Sequence, residues 1–95
     1  MRASTRDLAG LPGADLIDRG LTDLARGVET IESLLVSIGE ARLTRLGFVL
    51  PHVFASPEHR LYATLAAEDA DSAHARYNAL VRRLVSFERS AECAS

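Results

Sequence analysis

Few side chains in this 95-residue sequence are equipped for chemistry: three His, two Tyr, one Cys and a set of carboxylates and guanidiniums. Two segments echo each other. His59-Arg60-Leu61-Tyr62-Ala63-Thr64-Leu65 and His74-Ala75-Arg76-Tyr77-Asn78-Ala79-Leu80 both read His-x-x-Tyr-x-x-Leu. On a helix, three-residue steps set His beside Tyr on one face. If two such helices fold back on each other near residue 70, Tyr62 comes opposite Asn78. His59, Tyr62, His74 and Asn78 then make a candidate polar patch. The plainer alternative is a Tyr pair with its hydroxyls at the rim of a core.

Metal and nucleophile chemistry are poorly supplied. Asp71 and His74 stand at i and i+3, a ligand spacing, with Glu58, His52 and His59 as further donors. A di-metal bundle site needs a second carboxylate–His pair, and the sequence has none. A single Cys excludes a Cys-rich zinc site and any intrachain disulfide framework. Cys93 is the third residue from the end of the sequence, where no fixed base or oxyanion site is expected. No Gly-x-Ser-x-Gly elbow or phosphate-cradling glycine loop is present. The expectation is a non-enzyme that needs no cofactor and no metal.

The cations form a more suggestive pattern. All eleven basic residues are Arg, and 13 acids bring the net charge to −2. Four Arg fall in one stretch near the C-terminus. Arg76 and Arg83 are seven apart, as are Arg82 and Arg89, so each pair shares a helix face. An Arg row beside an apolar seam suits a helical protein–protein contact. Its bland reading is a solvated face paired with Glu88 and Glu92. A helix-turn-helix outline over residues 31–47, turning at Gly39, offers a second use for Arg. Its recognition helix would carry only Arg42, Thr44 and Arg45. Leu35 is too bulky for the crossing position, and Glu40 and Arg45 fall where apolar residues belong. The acidic net charge supplies no long-range attraction to phosphate.

Helices must position these groups. Apolar residues make up 47% and charged residues 25% of the chain, an ordinary globular mix. Residues 1–12 read as a flexible N-terminal arm and 13–95 as a single helical domain. From Ala14, the spacing of Leu16, Ile17, Leu21, Leu24 and Val28 draws one helical stripe ending at Gly27. Gly20 beside that stripe implies a close helix crossing. Thr30 is the expected N-cap of a second helix burying Ile31, Leu34, Leu35 and Ile38. Residues 40–46 form a short third helix ending at Gly47. Phe48 to Ala55 has no partner strand and reads as an extended connector plugging the core with Phe48, Leu50, Val53 and Phe54. Ser56-Pro57-Glu58 predicts a helix start with Ser56 as N-cap, followed by buried Leu61, Tyr62 and Leu65. Asp71 is the expected N-cap of a last helix running from Ser72 to about Glu92. The fold expected is all-α: a compact bundle of about five helices, two of them short, with a C-terminal αα-hairpin.

These elements predict a small helical interaction module, self-associating as a homodimer or binding another small protein. The expected seam is Tyr77, Leu80, Leu84, Val85 and Phe87 on the last helix, with Arg82, Arg83 and Arg89 setting partner choice. The alternative is a small nucleic-acid-binding regulator using the 31–47 corner and the Arg row; a third is an accessory subunit of an enzyme. With one Cys and no apolar leader or membrane-length run, the expected setting is the reducing cytoplasm, without membrane contact. Arg without Lys points to a high-GC, bacterial genome.

Overall fold

The structure, a computed structural model, describes residues 10–94. It is an all-α bundle of five helices: α1 (Ala14–Ala25), α2 (Ile31–Ile38), α3 (Glu40–Arg45), α4 (Pro57–Glu68) and α5 (Ala73–Ala94). No strand occurs among the described residues. Most of the expected arm lies outside them. Leu11, however, already packs on the core, and its carbonyl accepts a hydrogen bond from the Ala14 amide.

The central element is α2, in which Ser33, Leu34, Leu35, Val36 and Ser37 are all buried. Its start is doubly tied. The Ser33 amide donates to Thr30 Oγ1 (3.1 Å), and the Thr30 amide donates to Ser33 Oγ (2.7 Å), a reciprocal capping box. Thr30 Oγ1 also donates to Asp23 Oδ2 at 2.8 Å, joining α2 to the end of α1. The α1–α2 crossing is close because residue 20 has no side chain. A Cβ there would overlap the Glu32 carbonyl oxygen and stand 2.7 Å from Val36 Cγ1.

The connector after α3 is extended without being a strand, as its sequence implies. Phe48, Leu50, Val53 and Phe54 are half-buried against the core, whereas Val49 points outward. Its backbone finds local partners: Phe48 N–H donates to the Leu43 carbonyl and Phe54 N–H to Ser37 Oγ. Phe48 meets Phe87 of α5 with ring centroids 5.9 Å apart.

Three local expectations are corrected. Ser56 precedes α4 in the left-handed region (φ 49°, ψ 52°), and its hydroxyl caps nothing. Pro57 at the first helical position, not a Ser cap, starts the helix. Tyr62 is exposed, leaving Leu61 and Leu65 as the buried face of α4. The α4–α5 turn is organised by Asp69, whose Oδ1 accepts from the Asp71 amide; the Ser72 carbonyl then accepts the first bond of α5 from Arg76.

Candidate interaction surface

At 22 residues, α5 is the longest element of the fold, about 33 Å at 1.5 Å per residue. Its inward face carries Ala73, Leu84, Phe87, Glu88 and Ala91. Leu84 and Phe87 are therefore held in the chain's own core and are not free to form a seam with a second molecule. The amphipathic stripe that suggested such a seam is covered chiefly by α4 and α2, with Phe48 of the connector against Phe87. Tyr77 and Leu80 are half-buried and also pack on the core. Val85 remains half-exposed on the flank.

The four Arg of the row separate into two classes. Arg76 pairs with Glu68 of α4 (Nη1–Oε1 2.9 Å), and Arg83 lies 3.6 Å from Asp15 of α1. Arg82 and Arg89 are exposed and make no ion pair among the described residues. Helix spacing puts Val85 beside both, at i+3 from Arg82 and i−4 from Arg89. Asn78, at i−4 from Arg82, extends the same stripe toward His74.

The residues of the expected polar patch fall into two separate pairs and do not converge on one site. Tyr62 and Tyr77 pack across the hairpin with ring centroids 5.8 Å apart and planes tilted by 57°. Burial, and secondarily the Glu58 carboxylate, push the Tyr77 hydroxyl above the ordinary tyrosine range. Asn78 Nδ2 lies 3.2 Å from His74 Nε2, within hydrogen-bond distance one turn apart on α5. His59 is exposed and joins neither pair. No cluster of three or more metal-ligating side chains occurs among the described residues, and Cys93 is exposed.

The helix-turn-helix outline resolves into an internal corner. Leu35 is fully buried, and Arg42 turns back onto α5. Its Nη2 donates to Glu92 Oε1 at 2.7 Å, and its Nη1 stands 3.4 Å from Glu88 Oε1. The best-placed cation of the supposed recognition helix is thus held against Glu92 and Glu88 of α5, and α3 is six residues long.

In sequence, Glu88 reads either as an alternative to Phe87 on the apolar stripe or as part of a solvated charged face. The structure buries both, with Glu88 only 3% exposed. Its place at i+4 from Leu84 puts it on that stripe. Among the described residues, no helix is long and apolar enough to cross a membrane. The chain matches no protein-family profile, and no characterised protein or solved structure shows significant similarity to it.

Proposed function

We propose that the protein is a small helical protein–protein interaction module that self-associates in the cytoplasm through the outer stripe of α5. Arg82 and Arg89, exposed and without acidic partners, carry this reading together with the half-exposed Val85 between them. Arg beside a modest apolar contact is the residue pairing that protein interfaces enrich. A second copy supplies an acid for Arg89. In an antiparallel pair of α5 helices, the N-terminal end of one lies beside the C-terminal half of the other. Arg89 then faces Asp71, which is exposed just before α5 begins, and the antiparallel helix dipoles attract. Asn78 and Arg82 occupy the middle, and Ala75 and Ala79 let the backbones approach.

Because its ion pairs are exposed, the association weakens as salt rises. Sedimentation equilibrium across protein concentration tests it. A monomer–dimer equilibrium shifted toward monomer by salt is the expected result; a monomer at every concentration contradicts it.

A further inference from the structure

Glu88 presents a problem that its surroundings do not solve. One carboxylate oxygen, Oε1, faces Arg42 at 3.4 Å as an ion pair without a hydrogen bond. The other, Oε2, is buried and has no partner. It sits against the α2–α3 corner so closely that a Cβ on Gly39 would lie 2.8 Å from it and 2.9 Å from Leu84 Cδ1. Arg42, meanwhile, makes its short contact to Glu92. One guanidinium is shared by two carboxylates, and the buried one holds the weaker share. A buried charge without full hydrogen bonding is costly, whereas the neutral acid is far less so.

We propose that Glu88 is a proton-operated latch on the α2–α3 corner. Carrying a proton, it stays buried against Gly39, and α3 rests on α5 with Arg42 given over to Glu92. Releasing that proton to solvent creates a carboxylate that must find water, and the corner loosens to admit it. The charged groups acting on Glu88 are Arg42 from α3, which favours the carboxylate, and Glu92 from α5, which opposes it. The corner residue Gly39 offers only backbone, and Glu40 at the start of α3 is exposed. Desolvation is the largest influence, and it holds the carboxyl above its ordinary range.

The direction of the effect follows from linkage. A carboxyl whose folded-state pKa is raised binds its proton more tightly in the folded protein than in the unfolded chain. The stability it contributes is fully present below the ordinary glutamate value and is lost as pH rises through the folded value.

Amide hydrogen exchange on the intact chain, corrected for intrinsic rates, reads the latch directly. The reporters are Leu43, whose amide donates to the Gly39 carbonyl, and Leu46, which donates to that of Arg42. Their protection is expected to fall several-fold as pH rises from about 5 to about 8, while Leu34 in α2 falls less. In Glu88→Gln the α3 protection is expected to be independent of pH and, near neutrality, at least equal to that of the native sequence. Protection in the native chain that is flat with pH overturns the latch, as does pH dependence retained by Glu88→Gln. Should that variant fail to fold, carbon-detected titration of the native Glu88 carboxyl decides. A midpoint above those of the exposed glutamates supports the latch; one at or below them overturns it.

Discussion

At the scale of single residues, two glycines mark where this fold is tight. Glycine in a helix interior is about 1 kcal/mol worse than alanine, so propensity alone favours Gly20→Ala. The structure reverses that sign. The added methyl would overlap the Glu32 carbonyl oxygen and press on Val36. A backbone carbonyl in a helix cannot move aside as a flexible side chain does. Gly20→Ala is therefore expected to lose about 1–3 kcal/mol in urea denaturation, the cost of overpacking exceeding the propensity gain. Gly39 is similarly confined, but one of its neighbours is the end of the Glu88 side chain. The close crossing at Gly20 was legible in the sequence, because a glycine beside a helical stripe needs a packing reason. The burial of Glu88 was legible only as an alternative to that of Phe87. A carboxylate is assumed to seek water, and its nearest cation, Arg42, is far away in the sequence.

At the scale of elements, the two best-marked helix starts behave differently. Thr30 caps α2 and also binds Asp23. Thr30→Ala is expected to cost about 1–2 kcal/mol, measured by chemical denaturation. Ser56 resembles a cap in sequence but sits at positive φ with its hydroxyl uncommitted to the helix. Ser56→Ala is therefore expected to be near neutral. Ser56→Gly, which relieves the left-handed strain, should gain up to about 1 kcal/mol. A loss of about 1 kcal/mol in Ser56→Ala would show that the hydroxyl caps the helix after all. Periodicity and breakers located all five helices because the first four stripes end at a Gly or an acidic turn and the last begins after that turn. Cap geometry was less legible. The same Ser-Pro-Glu string is compatible with a capping hydroxyl or with a left-handed residue, and tertiary packing of the preceding connector selects between them.

At the scale of the whole molecule, the apolar stripe of α5 showed which face is buried but not what buries it. Leu84 and Phe87 satisfy a dimer seam and a monomer core equally well in sequence; packing of α4, α2 and the connector assigns them to the core. The surface left over is modest. Val28, Val49 and Tyr62 are the exposed large hydrophobics among the described residues. Association through such a surface depends on a few charge contacts rather than on apolar area. In the proposed antiparallel dimer, Arg89 meets Asp71 twice, and Arg82 lies opposite Asn78. Each exposed pair contributes at most about 1 kcal/mol, so losing both and introducing repulsion should weaken the dimer about tenfold or more. Sedimentation equilibrium of Arg89→Glu, Asp71→Arg and the double variant tests this most directly. Each single change is expected to shift the protein toward monomer, and the two together to restore the dimer. Unchanged association in Arg89→Glu, or no recovery in the double variant, would contradict the account.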